Sequence, residues 1–158
     1  MILFVKGGFM ADIKVGGPYL SMAFFCEKVL READGVLSAI RIVDRFNIQG
    51  TTEQMPSSTI AYTTVIVLKS GEFRGRAEIE MKATSPSGKD LPSIKFPVIF
   101  EGEGDHGTGI GVMTQFKAEE EGLFWFDISL IVPGGPPQFI TRIPLRILYQ
   151  RLLAVGGA

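Results

Sequence analysis

The sequence predicts an all-β protein, an antiparallel β-sandwich of about seven to nine strands with a C2-like or immunoglobulin-like topology. Short apolar runs followed by turn residues recur along the whole chain, a spacing typical of sandwiches and barrels. The clearest run, 73–83, alternates strictly between two sets of side chains. Phe73, Gly75, Ala77, Ile79 and Met81 share one face, and Arg74, Arg76, Glu78, Glu80 and Lys82 share the other. A period of two with charge on one side predicts a strand with one face in the core and one in water.

Further segments carry a comparable apolar pattern and are predicted as strands in chain order. They are Ser21–Arg31, Val36–Phe46, Thr59–Leu68, Ile94–Phe100, Ile110–Phe116, Leu123–Val132 and Phe139–Leu148. Because Pro97 has no backbone N–H to donate to a ladder, we expect the segment that contains it to be an edge strand.

Alternation also predicts which side chains of these strands face the core. The inward sets are Ile60, Tyr62, Thr64, Ile66 and Leu68; Ile94, Phe96, Val98 and Phe100; Phe124, Phe126, Ile128, Leu130 and Val132; and Phe139, Thr141, Ile143, Leu145 and Ile147. Trp125, Asp127 and Ser129 are expected to face outward.

The segment 22–46 is ambiguous, because its apolar residues also fit the spacing of a helix. A single helix would hold Asp34-Gly35 in its middle, where Gly costs about 1 kcal/mol relative to Ala. Asp-Gly is instead a strong hairpin signal, since Gly takes a positive φ without a steric cost. We therefore favour two strands joined at this turn. The polar stretch Asn47–Ser58 is long enough to cross between two sheets.

The chain of 158 residues corresponds to one domain. We divide it into an N-terminal extension (1–18), a β-sandwich domain (19–149) and an apolar C-terminal tail (150–158). Met10 is an alternative start to Met1. No apolar run approaches the roughly 18 residues of a membrane-spanning helix, and Met1–Val5 is too short for a secretory signal. We expect a cytoplasmic protein with no membrane partner.

Charge and cysteine content exclude other classes. The formal net charge is −1 and there is one cysteine. General nucleic-acid binding needs an excess of Lys and Arg to neutralise phosphates, so no nucleic-acid partner is expected. A single cysteine excludes an internal disulfide and a thiolate metal cluster, which fits a reducing compartment.

The strand patterns between Tyr19 and Leu148 carry a resemblance. An apolar strand ends in Cys-Glu-Lys-Val (26–29), and an Asp-Gly turn and Val-Leu-Ser-Ala-Ile-Arg-Ile-Val-Asp-Arg-Phe (36–46) follow. The chain closes with Glu-Gly-Leu-Phe-Trp-Phe-Asp-Ile-Ser-Leu (121–130) and Thr-Arg-Ile-Pro-Leu-Arg-Ile (141–147). In these patterns the chain resembles a bacterial family of small uncharacterised proteins. The resemblance implies a β-sandwich and brings no activity or catalytic residue.

The acidic, Gly-rich loop 101–107 holds the candidate metal ligands Glu101, Glu103, Asp105 and His106. Ca²⁺ takes about six to eight oxygen ligands, usually from more than one loop, and the only other acidic loop is 119–121. Residues 102–107 also match G-x-G-x-x-G, but a strand is expected to follow and the carboxylates would repel phosphate. We therefore interpret this segment as a solvated loop and expect no cofactor.

Nucleophilic chemistry has few candidates. Cys26 and His106 are the only members of their types, so they would have to form any Cys–His pair. Cys26 follows two phenylalanines in a predicted strand, where a buried cysteine acts as a small inert apolar residue. No G-x-S-x-G elbow is present, and a triad would depend on the single histidine. We expect a protein that is not an enzyme.

Candidate interaction residues lie on the outer faces and at the ends of the chain. Trp125 could stack on a sugar or anchor an interface. Arg74 and Arg76 would form an anion-binding patch if they neighboured the pairs Arg41/Arg45 and Arg142/Arg146; the alternative is a mixed-charge solvated face. The apolar Ile2, Leu3 and Phe4 could add a strand to a sheet edge or pack on their own domain.

These observations predict a binding module, with a protein or a second copy of the chain as its partner. One alternative is a small-ligand or carbohydrate module that uses Trp125 and the Gly-rich loop. The other is a Ca²⁺-responsive or metal-dependent domain that uses loop 101–106.

Overall fold

The computed structural model describes residues 16–101 and 107–153, and these residues form nine strands and no helix. The strands are β1 (Tyr19–Arg31), β2 (Leu37–Val43), β3 (Arg45–Gly50), β4 (Ser58–Lys69), β5 (Gly75–Thr84), β6 (Ile94–Phe100), β7 (Gly107–Ala118), β8 (Gly122–Ile131) and β9 (Gln138–Arg151). The all-β prediction is thus confirmed. A search of the same residues for a helix long and apolar enough to cross a membrane finds none.

The strands form two sheets. The first sheet has the order β2-β1-β4-β7, and the second has the order β3-β9-β8-β5-β6. All pairs are antiparallel except β3–β9, which is parallel with Arg45 opposite Arg146. The purely antiparallel expectation was therefore wrong at this one pair, because β3 enters the second sheet from the first without a hairpin.

The chain crosses between the sheets at Asp44. A ninth strand, β3, begins at Arg45 in the second sheet, and the chain returns to the first sheet between Gly50 and Ser58. The crossing predicted within Asn47–Ser58 is therefore confirmed, although residues 47–50 belong to β3. The backbone N–H of Arg146 donates to the Asp44 carbonyl over 2.9 Å, which ties this corner to β9. The predicted strand Val36–Phe46 is consequently two strands in different sheets.

The β1–β2 hairpin forms at the Asp-Gly turn, as predicted. Gly35 has a φ of 86°, and its N–H donates to the Glu32 carbonyl over 2.9 Å. The Asp34 carboxylate accepts the N–H of Val36 over 3.0 Å. The turn therefore uses both the conformational freedom of Gly and the acceptor of Asp.

The core lies between the sheets and contains the side chains that alternation assigned to it. Its buried members include Ile60, Tyr62, Ile66, Leu68, Ala77, Ile79, Met81, Val98, Phe100, Phe124, Phe126, Ile128, Leu130, Leu145 and Ile147. β6 lies at the edge of the second sheet, so the prediction drawn from Pro97 is confirmed.

Two alternation assignments were wrong. Glu80 was expected in water but is 6% exposed, because the ammonium groups of Lys82 (3.4 Å) and Lys95 (3.5 Å) extend to its carboxylate. Phe139 was expected in the core but is 63% exposed. A bulge opposite Ile128 inserts an extra residue, Ile140, into β9. The side chains of β9 before the bulge, including Phe139, therefore point to the opposite face from the one predicted.

The first sheet curls so strongly that its hairpin covers its own outer face. A Cβ placed on Gly109 would lie 2.6 Å from Leu37 Cδ1, and one on Gly111 would lie 3.5 Å from Val29 Cβ. The alternating glycines of β7 thus leave room for β1 and β2 side chains. This cover explains why Val65 of β4 is buried although it points away from the main core.

Candidate functional site

A cavity of about 500 Å³ lies between the two sheets. The edge strands β6 and β7 approach each other at one end, where the Thr108 hydroxyl donates to the Ile99 carbonyl over 3.4 Å. At the other end, Ile94 of β6 and Lys117 of β7 line the cavity. We call this opening the intersheet cavity.

The wall of the intersheet cavity is mostly apolar and belongs to the main core. Its apolar members are Tyr62, Met81, Ala83, Leu91, Pro92, Ile94, Phe116, Phe124 and Phe126. The rings of Phe116 and Phe124 lie 5.1 Å apart, and those of Phe116 and Phe126 lie 5.7 Å apart. Such a wall suits an apolar ligand, and the volume lies within the roughly 300–1,000 Å³ of small-molecule sites.

The polar groups inside the cavity are hydroxyls. The Thr114 hydroxyl is 3.3 Å from that of Thr64 and 3.2 Å from the Val112 carbonyl, so it is well paired. The Tyr62 hydroxyl oxygen is buried and has no hydrogen-bond partner among the described residues. Burial raises the pKa of Tyr62 well above its usual value, and the nearby Thr64 hydroxyl lowers it only in part. Tyr62 is therefore a neutral hydroxyl with an unused donor.

The charged groups of the cavity lie at its rim, and all of them except the half-buried Glu120 are exposed. Lys89 Nζ is 3.3 Å from a carboxylate oxygen of Glu119. Glu120 accepts from the Ser87 hydroxyl (2.6 Å) and from the Ser87 N–H (3.2 Å), and these bonds hold the pKa of Glu120 below its usual range. The rim thus fastens the β5–β6 loop to the β7–β8 turn.

The β5–β6 loop takes its shape from the turn Pro86-Ser87-Gly88. Gly88 has a φ of 84°, and its N–H donates to the Ser85 carbonyl over 2.9 Å. The Leu91 N–H then donates to the Ala83 carbonyl over 2.8 Å. These bonds turn the loop back so that Leu91 and Pro92 form one side of the cavity.

A second, smaller cleft of about 260 Å³ lies under the β1–β2 hairpin on the outer face of the first sheet. Met22, Phe24, Val29, Leu37, Val65 and Val67 are among its lining residues. Each is apolar, and no side-chain hydroxyl or charged group of the described residues lines the cleft. A ligand in this cleft would therefore contact apolar side chains and find no polar side chain of the described residues to recognise it.

Trp125 lies on the outer face of the second sheet, as predicted, and is 38% exposed. The Arg142 guanidinium carbon lies 5.8 Å from the ring centre, and Arg142 also hydrogen-bonds to Asp127 over 2.8 Å. In the backbone register, Trp125 lies opposite Thr84 of β5 and Pro144 of β9. Trp125 does not line the intersheet cavity, so it is not part of that site.

The arginines are distributed over both sheets. Arg41 belongs to β2 and Arg45 to β3, so the prediction of one strand, Val36–Phe46, that holds both was wrong. Arg41 pairs with Glu27 over 3.2 Å, and Arg45 pairs with Asp44 over 3.0 Å, which lowers the pKa of that aspartate. Arg45 and Arg146 are register neighbours.

The two arginines named as interaction candidates, Arg74 and Arg76, differ in setting. Arg74 precedes β5 and donates to the carbonyls of Gly71 (2.6 Å) and Phe73 (2.7 Å), so it braces the turn before the strand. Arg76 is exposed on β5, opposite Ile99.

Several predicted residues lie outside the described part of the chain. Glu103, Asp105 and His106 belong to the segment 102–106, and Ile2, Leu3 and Phe4 belong to 1–15. Glu101 is described and exposed. Within the described ranges, no group of three or more His, Cys, Asp or Glu side chains could hold a metal ion.

Cys26 is completely buried in β1. Burial raises the pKa of its thiol, and the weak contact of Sγ with the Lys28 carbonyl at 3.5 Å does not generate a thiolate. The interpretation of Cys26 as an apolar core residue agrees with this setting.

Sequence reasoning placed Tyr62 on the inward face of its strand but did not identify it as a site residue. A tyrosine in an apolar strand carries no local signal for an unpaired hydroxyl, because its partners come from other strands. The Pro-Ser-Gly turn next to the cavity was visible, but its role at the rim depends on the distant Glu120.

No protein-family model matches the chain, and no curated protein sequence matches it significantly.

Proposed function

We propose that this protein is a non-enzymatic binding module that takes a small, largely apolar ligand into the intersheet cavity. The observation that carries this proposal is the combination of an open apolar cavity with a buried, unpartnered hydroxyl, that of Tyr62. Buried polar groups are nearly always hydrogen-bonded, and an unpartnered one calls for a ligand, a water or a functional reason. The buried, protonated Cys26 thiol supports the non-enzymatic assignment.

The test uses naphthalene, a hydrocarbon that makes no conventional hydrogen bond, titrated into ¹⁵N-labelled protein. We expect amide shifts in the strands that line the cavity. Ala83→Leu places a larger side chain in the cavity wall and should weaken binding at least about tenfold. The matched control is Met113→Ser: Met113 lies on β7 next to Thr114 but is 86% exposed on the opposite face, so binding should stay within about twofold. Unchanged affinity in Ala83→Leu, or no shifts in the wild-type protein, would overturn the proposal.

A second candidate function is self-association through β2, and the exposure of its apolar side chains favours it. β2 is an edge strand, and Ile42 is 67% exposed and Ile40 is 39% exposed. Native edges are usually protected by charges, prolines or bulges. One edge of the second sheet, β6, has Lys95 and Pro97 in this role. The occupant that we propose for β2 is therefore the β2 strand of a second copy.

Size-exclusion chromatography with light scattering over a range of concentrations tests this candidate. We expect a dimer in the wild-type protein that Ile42→Lys converts to a monomer. Ile99→Lys is the matched control, since Ile99 is 55% exposed on the Pro-protected edge and should leave the dimer intact. A monomeric wild-type protein at every concentration would refute self-association.

The finer fold assignment, a C2-like or immunoglobulin-like sandwich, stays a proposal. The arrangement in two sheets supports it, and comparing an experimentally determined strand order with both topologies would test it.

A further inference from the structure

If the intersheet cavity binds a small ligand, as the proposed function states, its polar groups restrict the chemistry of that ligand. Tyr62 packs in an aromatic cluster whose ring centres include Phe25 at 4.8 Å and Phe126 at 6.0 Å. Phe25 does not line the cavity, whereas Phe126 does. Tyr62 therefore stands at the inner wall, where the cavity meets the core, and a ligand oxygen reaches its buried hydroxyl only when that wall shifts.

The deep wall offers one unused hydrogen-bond donor. The hydroxyls of Thr64 and Thr114 bond to each other, to Met81 Sδ (3.9 Å) and to the Val112 carbonyl. The Tyr62 hydroxyl has no such partner within the described chain. A sugar would bring several hydroxyls that need partners in the apolar wall, and burying a polar group unpaired is costly. The cavity therefore suits a ligand with a single polar group.

The ligand's buried end must also be uncharged. The charged side chains that line the cavity are Lys89, Asp90, Lys117, Glu119 and Glu120, and all except the half-buried Glu120 are exposed at the rim. Next to Tyr62, an ionised carboxylate or amine would have no counter-ion, and the penalty for burying such a charge is several kcal/mol. A neutral carbonyl or hydroxyl has no such penalty.

We propose that the intersheet cavity binds a neutral amphiphile, a medium-chain ketone, ester or alcohol, whose oxygen accepts a hydrogen bond from Tyr62 and whose hydrocarbon body packs on Phe116, Phe124 and Phe126. A single ordered water is the simpler occupant of the polar end. It would satisfy Tyr62 but leave most of the 500 Å³ unexplained, because one water occupies about 30 Å³ of liquid.

The test compares 2-nonanone with nonanoate, which share a chain length but differ in charge, with naphthalene as the reference that makes no conventional hydrogen bond. Each is titrated into ¹⁵N-labelled wild-type protein near neutral pH. We expect 2-nonanone to bind at least about tenfold more tightly than nonanoate. Tyr62→Phe removes the donor and keeps the ring, so it should weaken 2-nonanone about threefold to tenfold, the range of one hydrogen bond. The affinity of Tyr62→Phe for naphthalene should differ from that of the wild-type protein by less than about twofold.

The outcomes separate the two proposals. In one outcome, naphthalene binds to the cavity while 2-nonanone and nonanoate bind with equal affinity; in another, naphthalene binds while Tyr62→Phe leaves the affinity for 2-nonanone unchanged. In either case the proposed ligand class is wrong, but the cavity is still a ligand site. If none of the three compounds binds, the proposed function fails and the neutral-amphiphile assignment fails with it. Tyr149→Phe, which removes a hydroxyl that does not line the cavity, is the control and should leave all three affinities unchanged.

Discussion

The unpartnered hydroxyl of Tyr62 predicts that Tyr62→Phe stabilises the ligand-free protein. Leaving a buried polar group unpaired costs about 1–3 kcal/mol, and the substitution removes that group while it keeps the ring contacts with Phe25 and Phe126. The loss of one oxygen from the packing offsets part of this gain. We therefore expect the free energy of unfolding to rise by about 1 kcal/mol, which corresponds to about 2–4 °C in Tm for a domain of this size.

Tyr149→Phe is the matched control, because its hydroxyl is paired. Tyr149 donates to the Thr52 carbonyl over 2.8 Å and is 3.0 Å from the Thr52 hydroxyl. Its removal should lower the free energy of unfolding by about 0.5–1.5 kcal/mol. The two tyrosine-to-phenylalanine changes should therefore have opposite signs.

The assay is urea unfolding followed by the fluorescence of Trp125, the only tryptophan. The protein is first unfolded and refolded, so that a ligand carried through purification is removed. Equal slopes against urea are needed for the comparison, since the slope reports the surface exposed on unfolding. If Tyr62→Phe instead destabilises the protein as much as Tyr149→Phe does, the Tyr62 hydroxyl is hydrogen-bonded in the native state. It would then not be free to bind a ligand in the cavity.

Two further predictions concern the surface and the backbone. The Arg142 guanidinium holds the pKa of Asp127 below its usual 3.8, so the pair stabilises the fold above about pH 3.8 and this contribution is lost as the pH falls through the lower, folded-state pKa. Asp127→Asn should therefore lower the free energy of unfolding near neutral pH by less than about 1 kcal/mol, because Arg142 is half exposed. Urea unfolding near pH 2 should show a smaller loss. A loss of the same size at both pH values would contradict this prediction. Gly71→Ala should lower Tm more than Gly134→Ala. Both glycines have a positive φ (55° and 73°), but of these two only Gly71 has backbone atoms, those of Gly16 and Gly17, where the new Cβ would lie. Equal shifts in differential scanning fluorimetry would mean that residue 16 moves away freely.

The parts of the fold that were predictable are those encoded by local patterns. The period of two in 73–83, the Asp-Gly turn and Pro97 each act within one strand or one hairpin, and each gave the correct element. The burial of Glu80 was not predictable in this way, because the shield over its carboxylate comes from Lys95 on the neighbouring strand.

β3 was missed because nothing local marks it. Arg45–Gly50 is half polar, and it becomes a strand by pairing in parallel with β9, a hundred residues later in the chain. The bulge that turns Phe139 outward is likewise a property of the β8–β9 pair. Both errors come from interactions between segments distant in sequence.

The intersheet cavity depends on the same kind of information. β6 and β7 are the edges of different sheets, held together near Ile99 and Thr108 and apart near Ile94 and Lys117. A closed sandwich would fill this space with side chains, yet the wall residues Ala83 and Thr114 are small. The rim fastens the β5–β6 loop to Glu120, and Leu91 of that loop lines the cavity. An interior with room to spare and one unused donor is what a binding site requires, and what a protein evolved for stability alone would tend to remove.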